Sequence, residues 1–388
     1  MKASINSKLM RKSWILVLWM SLLHVACFKK NLPESPQTDF NAPLRPYQLQ
    51  IPDYFSRNFR IPDDNPLTEQ GVELGRMLFY DTRLSSDNSV SCASCHQQSA
   101  AFSDNNRFSK GVEGRTGTRN SMSLANLLWV NRFFWDGRAT SLESQALFPL
   151  GHPDEMNLPP EQAAAKLQTL PEYPPRFKQV FGSEQITPLN IAKALAQFQR
   201  TLISANSRYD RYLRGEYRPT ALELQGIQLF FTHPIPEIGL RGGNCGDCHV
   251  GPLVQGDPTA FRGFHNNGLD PDATLAPGLQ NVTGNPNDRG KFRAVSLRNI
   301  ALTAPYMHDG RFQTLEQVLE HYDQHIQMSR TLDPLIIEAS NEIRNDNNAP
   351  VKLYLTPQEK RAILAFLHML TDSTFIQDKR FSNPFINR

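Results

Sequence analysis

The sequence predicts a mainly α-helical protein with two related domains. Two observations support this fold class. The pentapeptide Cys-x-x-Cys-His occurs twice, at Cys92–His96 and at Cys245–His249. Three further blocks recur at one constant spacing of 173 residues: Ser123–Asn126 with Ser296–Asn299, Trp135–Arg138 with His308–Arg311, and Ser141–Glu143 with Thr314–Glu316. Repetition at a fixed spacing indicates an internal duplication.

Each pentapeptide is the attachment signature of a c-type haem. Two thiols at this spacing can form thioether bonds to one porphyrin edge, and the histidine that follows becomes the proximal iron ligand. The expected attachment residues are Cys92, Cys95 and His96 in the first motif and Cys245, Cys248 and His249 in the second. A four-cysteine zinc site and two redox dithiols are the alternatives, but neither requires a histidine after both pairs. We therefore expect two covalently bound haem c groups, in two cytochrome c-like domains.

The fifth cysteine, Cys27, ends a segment with the features of a secretion signal. Four basic residues precede an apolar run from Trp14 to Val25, and about 12 residues are too few to span a bilayer. Val25-Ala26-Cys27 resembles a lipobox, although His24 replaces the usual leucine. We expect a lipid anchor at Cys27, with ordinary cleavage nearby as the alternative. Either form would place the protein in the periplasm, anchored to a membrane or soluble.

Charge excludes one class of partner. The formal net charge is +3, and the signal contributes four positive and no acidic residues. The mature chain is therefore close to neutral, which gives no electrostatic basis for binding nucleic acid.

Proline, glycine and apolar periodicity divide the rest of the chain. Thr68 is placed to cap a helix before the first haem motif, and the apolar residues Leu222–Phe231 predict a matching helix before the second. Further helices are expected over Leu189–Leu202 and after Thr314, with Gln317 at capping-box spacing. The predicted divisions are a signal (1–27), a Pro-rich tether (28–60), an N-terminal domain (61–216), a C-terminal domain (217–375) and a tail (376–388).

The order of motifs resembles the bacterial di-haem cytochrome c peroxidase family, which includes MauG. The matching motifs are, in order, Cys-x-x-Cys-His, Gly-x-x-Gly-x-Arg-Asn, Phe-Trp-Asp-Gly-Arg, Leu-Glu-x-Gln-Ala, Glu-Met, Cys-x-x-Cys-His, Leu-Arg-Asn and Leu-Thr-Ala-Pro-Tyr. They cover about residues 60 to 372. The resemblance implies a peroxidatic haem at the first motif and an electron-transfer haem at the second.

The resemblance also implies roles for individual residues. Trp135 matches a tryptophan between the two haems, and Gln145 and Glu155 match the distal pocket of the first haem. Asn120 matches a residue near a calcium ion between the domains. Thr303 and Pro305 match backbone-carbonyl contributors at that same calcium site.

The chemistry of peroxide cleavage independently requires a group such as Glu155. A proton must move from the iron-bound oxygen to the departing oxygen, and a nearby carboxylate can carry it. From the sequence alone, the ordinary alternatives are a solvated loop carboxylate for Glu155, a surface helix residue for Gln145 and a core aromatic for Trp135.

Two positions depart from the common family pattern. Val112 stands where many members have a histidine that closes the first iron, and the loop 111–117 contains no histidine or methionine. We therefore expect the first haem to be open. The usual peroxidase of this family has a methionine at the position of Tyr322, whereas MauG resembles this chain in having a tyrosine there. We expect Tyr322 to be the sixth ligand of the second haem. The alternatives are a core role for Tyr322, or ligation by a neighbour: Met307, Met328, His308, His321 or His325.

These features predict an oxidoreductase that reduces hydrogen peroxide at the N-terminal haem with electrons relayed through the C-terminal haem. The electron donor would be a small cytochrome c or a cupredoxin. The first alternative is a MauG-like oxidase that uses a high-valent di-haem state to oxidise a protein or small molecule, and the second is a di-haem electron carrier. The resemblance also allows a homodimer.

Overall fold

The computed structural model describes residues 39–257, 262–344, 346 and 350–386. Phe40–Arg388 forms one compact unit, and Met1–Asp39 is a separate unit of which only Asp39 is described. The predicted signal and the lipid anchor at Cys27 lie outside the described residues. No helix in the described part of the chain is both long and apolar enough to cross a membrane.

The described residues are mainly helical, which confirms the predicted class. The α-helices are α1 (Glu69–Tyr80), α2 (Cys92–Cys95), α3 (Leu142–Gly151), α4 (Pro160–Gln168), α5 (Pro174–Phe181), α6 (Pro188–Arg200), α7 (Arg208–Leu213), α8 (Ala221–Phe231), α9 (Gln280–Thr283), α10 (Leu315–Gln324), α11 (Pro334–Glu338) and α12 (Pro357–Met369). Two short strands, β1 (Phe264–His265) and β2 (Phe292–Arg293), pair in antiparallel register with Phe264 opposite Arg293.

The predicted helix starts are confirmed. Thr68 caps α1 by accepting a hydrogen bond from the Gly71 amide at 3.0 Å. The helices expected over Leu189–Leu202 and Leu222–Phe231 are α6 and α8. Thr314 caps α10, where it forms a capping box with Gln317.

Each haem motif is preceded by a helix that crosses another helix at a glycine. Gly75 of α1 lies so close to α6 that an added Cβ would be 1.9 Å from the Ala194 carbonyl oxygen. Gly226 of α8 has the same relation to α12, where a Cβ would be 1.9 Å from the Ala362 carbonyl oxygen. Because no side chain fits at either crossing, the two helix pairs approach to backbone contact.

The backbone also repeats at the spacing of the sequence blocks. Three pairs of residues separated by 173 positions have left-handed φ angles: Asn126 (62°) with Asn299 (63°), Phe134 (66°) with Met307 (74°), and Gly137 (77°) with Gly310 (62°). Isolated bridges Phe133–Ala139 and Tyr306–Phe312 close the same turn in both copies. The repeated sequence blocks therefore have the same local backbone geometry.

The apolar side chains form two large buried clusters. The first draws mainly on residues 72–202, and the second on residues 209–370. Phe375 and Phe381, from the end of the chain, belong to the first cluster. The tail is attached there by Tyr80, whose hydroxyl donates to the Phe381 carbonyl at 2.7 Å. The C-terminal residues thus pack on the part of the protein that contains the first haem motif.

The segment between residues 40 and 60 contains no helix, but it lies against the body of the protein. Phe55 is buried and packs edge-on against Trp129 at 5.2 Å. The Tyr54 hydroxyl donates to Asp210 at 2.9 Å. Two aromatic side chains therefore attach this part of the predicted tether, because their burial is favourable only in contact with other apolar groups.

Candidate functional site

The first haem motif forms one helical turn, α2, followed by His96. The Nδ1 of His96 lies 2.9 Å from the Phe102 carbonyl oxygen. A hydrogen bond at Nδ1 leaves Nε2 as the nitrogen available to a metal. Burial lowers the pKa of His96, which favours the neutral imidazole that ligation requires.

The second motif has an equivalent arrangement. Cys245–Asp247 form a short 3₁₀ helix, and the Nδ1 of His249 lies 3.0 Å from the Val295 carbonyl oxygen. Burial lowers the pKa of His249 to about 4. Cys92, Cys95, Cys245 and Cys248 form no disulfide bond, so their sulfur atoms are available for thioether bonds to a haem.

A large cavity lies beside the second motif. It is lined by Cys245, Cys248 and His249, and its empty volume is about 2050 Å³, including solvent at its mouth. The guanidinium of Arg293 faces this cavity, and its Nε is inaccessible to solvent and has no hydrogen-bond partner. A buried cationic nitrogen without a partner is costly, and a carboxylate such as a haem propionate would provide one. The cavity, the thiols, the neutral imidazole and this cation all fit a haem c.

Tyr322 lies in the same cavity, on the inner face of α10. Its hydroxyl oxygen accepts a hydrogen bond from Nδ2 of Asn267 at 3.1 Å. Burial raises the pKa of the phenol, and the Asn267 hydrogen bond opposes that effect. Tyr322 therefore shares a cavity with His249, the expected proximal ligand, and its role as the sixth ligand stays a prediction.

The alternative ligands for this haem differ in position. Met307 and His308 also line the cavity, although His308 stacks on Phe292 at 3.7 Å. His321 bonds the Asn267 carbonyl through Nε2 at 3.0 Å. Two others, Met328 and His325, are exposed. Of these candidates, Tyr322 and Met307 line the cavity without the ring stacking of His308.

Glu155 lies near the first motif. Its side chain is 43% exposed, yet its surroundings still raise the pKa of the carboxyl group, chiefly by removing it from bulk water. Burial raises the pKa of Cys92 to about 12, with smaller contributions from Cys95 and Glu155. The Glu155 carboxylate is therefore close enough to the haem attachment residues for their charges to interact.

Gln145 and Val112, two other residues singled out at the first site, differ in burial and in hydrogen bonding. Gln145, on α3, is half-buried, and its side chain has no hydrogen-bond partner among the described residues. Val112 is fully buried, and its amide donates to the Glu155 carbonyl at 2.9 Å. The loop that carries Val112 thus packs against the backbone of Glu155, while Gln145 remains available for another partner.

Residues 120–123, which we call the bridging segment, contact both haem sites. The Ser121 hydroxyl donates to the Cys95 carbonyl at 2.6 Å and lies 3.3 Å from Nδ1 of His96. The same four residues line the cavity of the second motif. Trp135 also lines that cavity, and its indole Nε1 donates to the Asn120 carbonyl at 2.8 Å. Trp135 is therefore hydrogen-bonded to the segment that joins the two sites.

The three residues expected near calcium also line this cavity. The carbonyl oxygens of Thr303 and Pro305 accept no hydrogen bond from the described residues. The Asn120 amide nitrogen donates to the Asn106 carbonyl at 2.9 Å, so its side-chain oxygen faces elsewhere. Clusters of three or more His, Cys, Asp or Glu side chains suited to a metal are absent from the described residues. Any cation here would depend on carbonyl and amide oxygens, which suit calcium.

Three residues of this region were not identified from the sequence. They are Ser121, Asn267 and Arg293. Ser121 directly follows Asn120, but a lone serine carries no distinguishing pattern. Arg293 is brought to the cavity by the pairing of β1 with β2, and Asn267, just after β1, by its hydrogen bonds to α10.

Comparison with known proteins gives a consistent result. A family profile described as di-haem cytochrome c peroxidase matches residues 69–218. The chain is 40% identical over 252 residues to cytochrome c551 peroxidase of Nitrosomonas europaea, which covers 64% of this chain and 71% of that protein. It is 38% identical over 262 residues to the methylamine utilization protein MauG of Methylorubrum extorquens, covering 67% and 70%.

A solved structure has a similar fold. It is a MauG-like protein associated with microbial copper homeostasis, with a TM-score of 0.76 and 37% sequence identity. The match covers 87% of this chain and 99% of that one. The range matched by the family profile, residues 69–218, contains the first haem motif at Cys92–His96.

Proposed function

This chain belongs to the di-haem cytochrome c peroxidase family and is an oxidoreductase that acts on peroxide, and on that premise we propose how its two haem c sites divide the work. Hydrogen peroxide is reduced at the first site, beside Glu155. The second site, beside Tyr322, accepts electrons from a donor and passes them on. The observation that carries this division is the accessible, partly desolvated carboxyl group at the first motif.

Glu155 is proposed to move the proton that cleavage needs. Reduction of hydrogen peroxide to two waters consumes two electrons and two protons, and the bound haem supplies an iron that can bind the peroxide. With haem bound, the Glu155 carboxylate would take a proton from one oxygen of hydrogen peroxide and return it to the other, which leaves as water. Because solvent exclusion raises its pKa, Glu155 gives up and accepts the proton closer to neutral pH than a free glutamate does. Gln145, with its unbonded amide, orients the peroxide.

Electrons are proposed to cross between the sites through the bridging segment and Trp135. Ser121 contacts His96 of the first motif, and Trp135 lines the second cavity. A continuous set of packed and hydrogen-bonded groups therefore connects the two sites. Trp135 adds an aromatic ring that can take part in electron or hole transfer.

The remaining parts of the proposal concern partners and location. A calcium ion is held by the side chain of Asn120 and the backbone carbonyls of Thr303 and Pro305. Neither of these carbonyl oxygens accepts a hydrogen bond from the described residues. A small cytochrome c or a cupredoxin supplies electrons. The protein works in the periplasm, anchored through Cys27, which lies outside the described residues. A homodimer is compatible with this arrangement.

One observation favours a second candidate function. Tyr322 faces the second cavity, and an anionic oxygen ligand stabilises ferric iron, which makes that haem a poorer electron acceptor. Such a site suits a MauG-like oxidase that acts on a protein or small molecule. A di-haem electron carrier is disfavoured, because Glu155 and Gln145 would have no role in it.

The test is a pair of glutamine substitutions. We expect Glu155→Gln to lose at least about 100-fold in kcat for peroxide, the scale of general acid–base catalysis, while both haems remain attached. Glu161→Gln, an exposed acid on α4, should keep wild-type activity. Unchanged peroxide turnover in Glu155→Gln would contradict the assignment. Wild-type protein that turns over peroxide only with an organic or protein substrate, and not with a reduced cytochrome, would favour the MauG-like function.

A further inference from the structure

Asn267 lies between two candidate ligands of the second haem. Its side-chain nitrogen donates to the Tyr322 hydroxyl oxygen at 3.1 Å and to the Met307 sulfur at 3.4 Å. All three side chains line the cavity that contains His249. Phenolic oxygen and thioether sulfur both bind haem iron. Two candidate ligands are therefore hydrogen-bonded to the same side-chain amide.

Hydrogen-bond chemistry determines the orientation of this amide. A thioether sulfur can accept a hydrogen bond but cannot donate one. The atom of Asn267 that faces Met307 is therefore the nitrogen, which carries two hydrogens. One hydrogen points to the sulfur and the other to the oxygen of Tyr322. Asn267 thus restrains both side chains at the same time.

The backbone around Asn267 is held against α10. The Asn267 carbonyl is bonded by His321, the neighbour of Tyr322 on that helix, at 3.0 Å. The Gly268 carbonyl accepts from the Gln327 amide at 2.8 Å. The side chain of Asn266 bonds Ser329 at 2.9 Å. These contacts hold residues 266–268 against α10 and the segment that follows it, and the Asn267 amide is directed at Tyr322.

We propose that Asn267 is a positioning residue that selects Tyr322, rather than Met307, as the sixth ligand of the second haem. This inference rests on the proposed assignment of Tyr322 as that ligand. The hydrogen bond to Tyr322 would hold its oxygen in the cavity that contains His249, where the haem would bind. The hydrogen bond to Met307 occupies a lone pair of the sulfur and holds it in its observed position. A methionine ligand raises the reduction potential of haem iron, so this selection keeps the second site at a low potential.

The experiment replaces Asn267 by leucine, which has a similar size and no donor, in the full-length holoprotein. Low-temperature electron paramagnetic resonance and the near-infrared spectrum of the ferric protein report the ligand, and spectroelectrochemistry reports the potential. Wild type should show one low-spin species with an oxygen ligand. Asn267→Leu should add a sulfur-ligated species with its charge-transfer band, and the potential of the second haem should shift upward.

Two further variants separate the possible failures. Asn267→Leu combined with Met307→Leu should lack the sulfur-ligated species, and Met307→Leu alone should keep the wild-type spectrum. If Asn267→Leu keeps only the oxygen-ligated species, the selection by Asn267 is wrong. If Tyr322→Phe leaves the wild-type spectrum unchanged, Tyr322 is not the ligand and the inference fails at its premise. Peroxide reduction at the first site is tested separately through Glu155.

Discussion

Glu155 shows how a single residue acquires a role that its own neighbourhood in the sequence does not disclose. It lies in a loop with prolines and a glycine, where most glutamates are solvated. In the folded protein the same carboxyl group lies near the first haem motif, and its pKa is raised mainly by loss of solvent. Nearby His152 opposes that rise, with its Nδ1 3.9 Å from the carboxylate.

This environment predicts the pH dependence of peroxide reduction. The carboxylate form of Glu155 is the form that accepts a proton, so activity should fall as the pH drops through its pKa. Because that pKa is raised, the fall should occur at a higher pH than for an ordinary glutamate, whose pKa is about 4.3. A profile of kcat/KM for peroxide against pH measures this. The acidic limb should disappear from the residual activity of Glu155→Gln, and its persistence there would assign the titration to another group.

At the scale of secondary structure, two glycines set the distance between helices. Gly75 and Gly226 each allow one helix to lie directly on the backbone of another, in front of each haem motif. A glycine within a helix is unfavourable by itself because of its conformational freedom. The close crossing explains why glycine is present in both.

Alanine at either glycine should therefore destabilise the protein. The added Cβ would overlap a carbonyl oxygen, and overpacking of this kind costs about 1–3 kcal/mol or more. Thermal unfolding of Gly75→Ala and Gly226→Ala, followed by circular dichroism, should give a lower Tm in both cases. Gly117 is the matched control, because nothing lies within 4 Å of a Cβ added there. A Tm for Gly75→Ala as high as that of Gly117→Ala would show that the crossing can relax.

At the scale of the whole molecule, one buried ion pair connects distant parts of the chain. Arg298 and Asp210 approach to 2.6 Å with both side chains fully inaccessible. The guanidinium also lies 5.3 Å from the ring centre of Phe55. Tyr54 adds a hydrogen bond to Asp210. The N-terminal segment, α7 and a repeated block of the C-terminal half therefore meet at one charged group.

Replacing Asp210 by asparagine should be costly, because Arg298 would remain buried without a counter-charge. The expected loss is about 3–5 kcal/mol of unfolding free energy, measured by denaturant titration. The control is Asp53→Asn, which removes the partner of Arg57 in a pair whose side chains are 105% and 58% exposed. That change should cost about 0–1 kcal/mol. Equal effects of the two substitutions would mean that the buried pair is relieved by solvent or rearrangement.

Much of the chemistry and part of the fold could be predicted from the sequence alone. The Cys-x-x-Cys-His pentapeptides are local, because attachment and proximal ligation involve residues within five positions of each other. Helix starts at Thr68 and Thr314 are also local, since a cap and the amides that it satisfies are three residues apart. The division into the domains 61–216 and 217–375 stays a prediction.

The tertiary structure alone decided which distant groups share a cavity. Asn267 and Met307 are 40 positions apart, and Asn267 is 55 positions from Tyr322, yet one amide bonds both. No periodicity or spacing marks such a contact, because it depends on the path of loops between elements. The burial of Phe55, which lies in a proline-rich segment, could not be predicted from the sequence for the same reason. The sequence by itself determined the haem-attachment motifs and the helix starts, because their causes act over a few residues. Only the tertiary structure showed that Asn267 bonds both Tyr322 and Met307, that Glu155 is partly removed from solvent, and that the bridging segment contacts both sites. These features depend on the packing of distant parts of the chain.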